Sequence, residues 1–173
     1  MLERTPLFIL DASVAVKWFV PEPLRKKALS VRTDYLENRI DLLAPGLIRY
    51  EIGNALRFHP GSSPKELTDA VKTIADMQID RAELAPETVT VASEIAFQEG
   101  ITFYDAVYIA LAERNTAVMI TDDLALFRKA SKKRNLLQLL KDYKSPRRDS
   151  ALEPVAGVDR GRRAFRREKL DRY

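Results

Sequence analysis

Short apolar runs alternate along this chain with longer amphipathic stretches, and this alternation restricts the fold more than any other feature of the sequence. The apolar runs have the length of buried strands, whereas the stretches between them place apolar residues at the three- and four-residue spacing of a helix. A strand–helix–strand order of this kind predicts an α/β sandwich with a mostly parallel central sheet of four or five strands. The predicted strands cover residues 7–10, 41–44, 82–85, 117–120 and 136–140.

Proline, glycine and serine mark the boundaries of the predicted helices. The proline-containing break at 21–23 precedes one helix, and the loop 59–64 (His-Pro-Gly-Ser-Ser-Pro) precedes another. At the end of that loop, Ser63 followed by Pro64 and Glu66 is typical of a helix start. The predicted helices cover residues 12–19, 24–39, 46 to either 56 or 58, 64–77, 86–100, 102–114 and 124–134.

The composition excludes several kinds of site. The chain has 173 residues and no cysteine, which excludes disulfides and thiolate metal sites, and its single histidine, His59, argues against structural zinc. No apolar run approaches the roughly 20 residues that cross a membrane, and the first residues lack a signal-peptide pattern. We therefore expect a cytoplasmic protein with no membrane partner.

The net charge of +4 is unevenly distributed along the chain. Residues 144–173 contain ten Lys or Arg and five Asp or Glu, whereas residues 1–143 contain 19 basic and 20 acidic side chains. A high isoelectric point alone would indicate a nucleic-acid-binding body, but here the excess positive charge belongs to the C-terminal segment. We predict a globular domain over 1–143 and a basic, flexible C-terminal tail over 144–173.

Four acidic residues stand near the boundaries of the predicted elements. Asp11 and Asp123 follow strands, Glu51 lies in the helix after the second strand, and Asp105 opens a helix that is apolar on every side. Singly, three of them can cap a helix and Glu51 can be a solvated helix residue. Ligands of parallel sheets bind beyond the carboxyl ends of the strands. Carboxylates that meet there at ~4 Å repel each other by roughly 4 kcal/mol per pair, which predicts a hard divalent cation.

The sequence around these acids resembles the PIN-domain nuclease family, and within it the VapC-type toxins. The resemblance covers residues 7–143 and implies a PIN-like three-layer sandwich. In the family pattern Thr-any-Asp, Asp123 is the matching acid and Asp122 is its neighbour. The family's small polar supporting residues correspond to Ser13, Asn54 and Thr121. The motifs that carry the resemblance are Leu10-Asp11-Ala12-Ser13-Val14, Tyr50-Glu51-Ile52-Gly53-Asn54-Ala55, Thr102-Phe103-Tyr104-Asp105-Ala106 and Ile120-Thr121-Asp122-Asp123.

This resemblance implies a metal-dependent endoribonuclease that hydrolyses RNA phosphodiester bonds as the toxin of a VapBC-type toxin–antitoxin pair. Asp11, Asp105 and Asp123 would bind Mg²⁺ or Mn²⁺. Glu51 would complete the catalytic set by orienting or deprotonating the attacking water. The implied partners are an RNA substrate, a cognate antitoxin and a second copy of the chain in a homodimer.

Three other interpretations differ in how well they fit the motifs. A PIN-fold RNA-binding or RNA-processing protein without a toxin role stays open. A phosphorylated receiver domain needs an acidic pair after the first strand, and a haloacid-type phosphatase needs Asp-any-Asp there. Both are disfavoured, because Asp11 stands alone and Ser13 occupies the second acidic position.

Basic and aromatic residues near the acids are candidates for holding RNA. Lys17, Arg49, Arg57 and the tail could contact phosphates, and three aromatic side chains could stack on bases. We expect Lys17 and Arg57 to be solvated helix surface. Of the aromatic candidates Trp18, Phe19 and Tyr104, we expect the last two to belong to the core.

Overall fold

Five strands form the centre of residues 5–146, the part of the chain that the computed structural model describes. All neighbouring strands pair in parallel, which confirms the predicted sheet. The strands are β1 (Leu7–Leu10), β2 (Asp41–Pro45), β3 (Asp80–Ala82), β4 (Val118–Thr121) and β5 (Leu137–Leu139). They lie in the order β3-β2-β1-β4-β5, so that β1 is central and β3 is an edge.

Helices cover both faces of this sheet and make the three layers of an α/β sandwich, as predicted. Successive residues of a strand point to opposite faces, and in β1 Leu10 enters one hydrophobic core while Ile9 enters the other. The first core packs against α1 (Ala12–Ala15), α2 (Arg25–Leu36), α3 (Ile48–Phe58) and α4 (Pro64–Asp76). The second packs against α5 (Pro86–Glu99), α6 (Phe103–Asn115) and α7 (Leu124–Ala130).

Some boundaries differ from the prediction. β3 covers Asp80–Ala82 rather than 82–85, and the predicted helix 12–19 is the short α1 followed by a 3₁₀ turn at Val16–Trp18. The helix α7 ends at Ala130 instead of 134, and Arg134 instead pairs with Glu99 and Glu113 at 2.7 Å each. The β3 boundary follows its pairing with β2, and the end of α7 leaves Arg134 to reach partners 21 and 35 positions away.

A buried acid fastens the end of the described region to α2. Asp34 is 1% exposed, and its carboxylate accepts a hydrogen bond from the Tyr143 hydroxyl at 2.6 Å and pairs with Arg39 at 2.9 Å. Burial and the hydrogen bond to Asp34 raise the pKa of Tyr143. Most of the predicted tail (144–173) lies outside the described residues, so the domain boundary stays a prediction. No helix within 5–146 is long and apolar enough to span a membrane.

Candidate active site

Asp11 stands at the carboxyl end of β1, beside the end of β4. The register pairs Leu10 with Ile120, and the backbone N–H of Asp11 donates to the Ile120 carbonyl at 3.2 Å. The Asp11 residue is only 7% exposed, and its side chain does not cap α1. Its Oδ2 accepts hydrogen bonds from the hydroxyls of Ser13 at 2.5 Å and Thr121 at 2.6 Å. The local capping explanation therefore does not account for Asp11.

The two hydroxyls that hold Asp11 are themselves oriented by the backbone after β4. Ser13 Oγ accepts from the backbone N–H of Asp122 at 2.9 Å, and Thr121 Oγ1 accepts from that of Asp123 at 3.0 Å. Both hydroxyls can therefore direct their protons towards the carboxylate. Ser13 and Thr121 thus both contact Asp11, whereas Asn54 is exposed on α3 and its side chain makes no hydrogen bond to another residue of 5–146. The supporting role of all three residues stays a prediction.

Glu51 approaches the same region from α3, where it is partly buried. The hydroxyl of Tyr108, a fully buried residue of α6, donates a short hydrogen bond to Glu51 Oε2. Burial raises the pKa of Glu51 to about 7; the hydrogen bond from Tyr108 opposes this rise, and the charges of Asp11 and Asp105 add to it. Burial also raises the pKa of Tyr108. Periodicity alone marks Tyr108 as a core residue, so only its hydroxyl partner reveals it as part of the site.

Three carboxylates of the site are electrostatically coupled. Burial raises the pKa of Asp11, the hydrogen bonds from its hydroxyl partners oppose this rise, and the charge of Asp105 adds to it. The charges of Asp11 and Asp105 likewise raise the pKa of Glu51. No Lys or Arg of the described region forms an ion pair with any of the three. The structure thus collects negative charge here without a neutralising side chain.

Asp105 contacts the cap of one helix, Asp123 caps another, and each keeps one carboxylate oxygen without a hydrogen bond within 5–146. At the start of α6, the Thr102 hydroxyl donates to Asp105 Oδ2 at 2.7 Å and accepts from the Asp105 N–H at 3.1 Å. Asp123 caps α7 because its Oδ1 accepts from the backbone N–H of Leu126 at 2.8 Å. The other oxygen of each accepts no hydrogen bond from a residue of the described region. Capping therefore accounts for only part of each side chain.

Asp122 points away from this group. Its Oδ2 pairs with Lys17 Nζ at 3.0 Å, and the same ammonium group pairs with Glu22 at 2.8 Å. Burial alone would lower the pKa of Lys17, but the hydrogen bonds to Glu22 and Asp122 outweigh it and raise the pKa. The expectation that Lys17 is solvated, and free to contact phosphate, is wrong: it is 6% exposed because the 3₁₀ turn directs it between two acids.

The aromatic candidates also divide differently from the prediction. Trp18 is a core residue, 2% exposed, and its Nε1 donates to the Ala28 carbonyl at 2.8 Å. Phe19 packs partly buried against the core, as expected. Tyr104, which we expected in the core, is 63% exposed because it lies in the first turn of α6, before the buried part of that helix. Arg57 is exposed, as expected, and lies over the Phe58 ring.

The carboxylates of the site suit a hard cation that keeps several waters better than a cation that is bound by protein atoms alone. No three Asp, Glu or His side chains within 5–146 are placed to ligate one metal ion together. Mg²⁺ commonly retains several waters and uses only one or two protein carboxylates. The unused oxygens on Asp105 and Asp123 fit this partly hydrated coordination. The charge of Asp105 acts on Asp11, and the Asp123 backbone is linked to Asp11 through the Thr121 hydroxyl.

Comparisons with known proteins agree with this fold. A family model described as PIN domain matches residues 8–133. No curated protein sequence matches the chain. One similar solved structure is PAE2754 from Pyrobaculum aerophilum, with a TM-score of 0.57, 22% identity, and coverage of 79% of this chain and 85% of that one.

A second similar structure is VapBC2 from Rickettsia felis bound to a DNA fragment from their promoter. Its TM-score is 0.57 at 11% identity, and the match covers 77% of this chain and 98% of the other. At these identities, both structures speak for a shared fold alone.

Proposed function

This chain belongs to the PIN-domain family, whose members are generally nucleases, and we propose that it is a metal-dependent endoribonuclease acting as a VapC-type toxin. The observation that carries the proposal is the coupling of Asp11, Glu51 and Asp105 beside the carboxyl end of β1. A fold does not need three mutually repelling carboxylates without a basic partner, whereas a cation-dependent reaction does.

We propose that Asp11, Asp105 and Asp123 hold Mg²⁺ or Mn²⁺, directly or through water. When bound, a divalent ion of this kind would lower the pKa of a water molecule and stabilise charge at the phosphoryl group. Ser13 and Thr121 keep the Asp11 carboxylate in one orientation, because each hydroxyl is fixed by a backbone N–H.

Glu51 is the proposed base or orienting group for the attacking water. A carboxyl group whose pKa is about 7 exchanges its proton near neutral pH, which suits a general base. Tyr108 holds Oε2 and leaves Oε1 without a hydrogen bond from a residue of the described region. Tyr108 thus positions Glu51 so that one defined oxygen can accept a proton.

The toxin role and its protein partners rest on similarity to the VapBC2 complex. We propose a cognate antitoxin that binds this chain. We also propose a homodimer, which the exposed Tyr50 and Phe58 on α3 support and which light scattering of the purified chain can test.

Induced expression in a bacterial host should arrest growth with the wild type and not with Asp11→Asn. If both strains grow normally while the purified wild type cleaves RNA, the alternative of an RNA-processing enzyme without a toxin role is favoured.

Magnesium should stabilise the wild-type chain and be required for cleavage. An ion at about ten times its dissociation constant adds about 1.4 kcal/mol, which corresponds to roughly 3–6 °C in Tm. Thermal unfolding is measured with MgCl₂ and with NaCl at matched ionic strength, and cleavage is measured with and without EDTA. The Tm increase should be largely lost in Asp11→Asn. Cleavage that persists in EDTA would contradict the metal proposal.

Asp122→Asn should separate structure from chemistry at the end of β4. Because Asp122 faces Lys17, we expect cleavage to change by no more than a few fold. The free energy of unfolding should fall by about 1–2 kcal/mol, since a charged hydrogen bond is removed. Urea denaturation of Asp122→Asn, Lys17→Met and the double variant measures the coupling of the pair. If Asp122→Asn abolishes cleavage while Asp123→Asn does not, Asp122 is the functional acid.

A further inference from the structure

A groove of about 1310 Å³ lies beside the edge strand β3. The carboxyl end of β2, the start of α3 and the end of α4 contribute to its walls, together with β3 and the beginning of α6. Small-molecule sites usually occupy about 300–1,000 Å³, so the groove is large enough for an extended ligand.

The walls of this groove carry two arginines and two exposed aromatic rings. Arg49 and Arg81 both line it, and neither forms an ion pair with a residue of 5–146. Phe103 and Tyr104 line it as well and are 37% and 63% exposed. The acidic residues Asp80 and Glu83 are also present. The arginines are therefore separate anchoring points and do not form a uniformly positive surface.

The groove and the candidate active site share the helices α3 and α6, although none of the four acids lines the groove. Arg49 precedes Glu51 by two residues in α3, and Tyr104 directly precedes Asp105 at the start of α6. An extended ligand that is longer than the groove could therefore reach from Arg81 to the carboxylates. We propose that this groove holds the single-stranded RNA next to the cleaved bond, with Arg49 and Arg81 binding phosphates and Tyr104 stacking on a base. This inference rests on the proposed nuclease function.

The chemistry of the walls favours a single nucleic-acid strand over a peptide. Guanidinium groups bind phosphate oxygens through paired hydrogen bonds, and an exposed tyrosine ring offers a stacking surface for any unpaired base. A peptide that added a strand to the sheet would need a longer free edge, because β3 has only three residues. Arg81 was not among the sequence candidates, since no local pattern distinguishes it from other surface arginines.

The test measures RNA binding by the full chain without cleavage. Fluorescence anisotropy of a labelled oligouridine of about eight nucleotides is recorded with Asp11→Asn protein over a range of salt concentrations. The second substitution is Arg81→Glu, and the matched control is Arg128→Glu. Arg128 is also exposed and without an ion pair in the described region, but it lies on α7, beyond β4.

We expect Arg81→Glu to weaken RNA binding roughly tenfold. The slope of log affinity against log salt concentration should also become shallower, by about 0.7 for each phosphate that the variant no longer neutralises. Arg128→Glu should change the affinity by less than about twofold. Tyr104→Ala should weaken binding roughly tenfold, and Tyr104→Phe should restore it. Hydrogen exchange should show protection at residues 80–84 and 103–107 when RNA is bound.

Equal effects of Arg81→Glu and Arg128→Glu would overturn this inference, as would equally tight binding of duplex RNA. Reduced binding of a protein partner by Arg81→Glu, with unchanged RNA affinity, would assign the groove to a peptide and also overturn it. The two proposals fail separately. If Arg81→Glu weakens RNA binding but the wild type does not cleave RNA, the nuclease proposal is rejected. If cleavage depends on Asp11 but RNA binding does not depend on Arg81, the groove proposal is rejected.

Discussion

Asp11→Asn should reduce RNA cleavage by roughly a thousandfold or more. The metal contributes several kcal/mol to phosphoryl transfer, and each 1.4 kcal/mol is about a factor of ten in rate. Asp11 is the most constrained acid of the site, because two hydroxyls hold its Oδ2 and the carboxylate is nearly buried. The measurement is single-turnover cleavage of a labelled single-stranded RNA at saturating MgCl₂.

The control for this variant makes the same chemical change away from the site. Asp69→Asn alters an exposed carboxylate on α4 whose only ion-pair partner within 5–146 is Lys65, and it should cleave at the wild-type rate. Circular dichroism and Tm should show that Asp11→Asn remains folded. Cleavage by folded Asp11→Asn within tenfold of the wild type would remove Asp11 from the mechanism, and with it the proposed metal site.

Glu51→Gln should stabilise the protein at pH 8 and leave its stability unchanged near pH 4, while reducing cleavage. The folded-state pKa of Glu51 is about 7, above the ordinary 4.5, so folding favours the protonated form. Stability therefore falls as pH rises from about 4.5 to 7. The difference corresponds to about 3 kcal/mol at most, and solvent screening of this partly exposed group reduces it to roughly 1–2 kcal/mol. Tm should thus rise by roughly 2–8 °C at pH 8.

Glu66→Gln provides a control of opposite sign. Hydrogen bonds from the Ser63 hydroxyl and backbone lower the pKa of Glu66, so its contribution to stability is present above the ordinary pKa and disappears in acid. That variant should lower Tm at pH 8 and have a smaller effect near pH 4. The scans are made without divalent ions, because a bound cation would compensate the charge of Glu51. Equal destabilisation by Glu51→Gln at both pH values would contradict the prediction.

Local signals in the sequence predict the elements around the site well. The capping box that Ser63 and Glu66 form is present in the structure, and Thr102 caps α6 as its position suggests. Both signals act over three residues, so no tertiary contact is needed to recognise them. The prediction is poorer for Lys17 and Tyr104. Each lies in a short or terminal helical segment, where the direction of a side chain depends on what packs beside it.

The alternation of strands and helices, and with it the position of Asp11 and Asp123 at strand ends, can be read directly from the order of residues. Backbone hydrogen bonding and burial set that pattern residue by residue. Tertiary packing brings together side chains that are far apart along the chain: Thr121 meets Asp11 across 110 positions, and Tyr108 meets Glu51 across 57. It also decides that Asp122 faces Lys17 and that Arg81 lines the groove. These pairings depend on the packing of whole elements, which no local pattern of residues encodes.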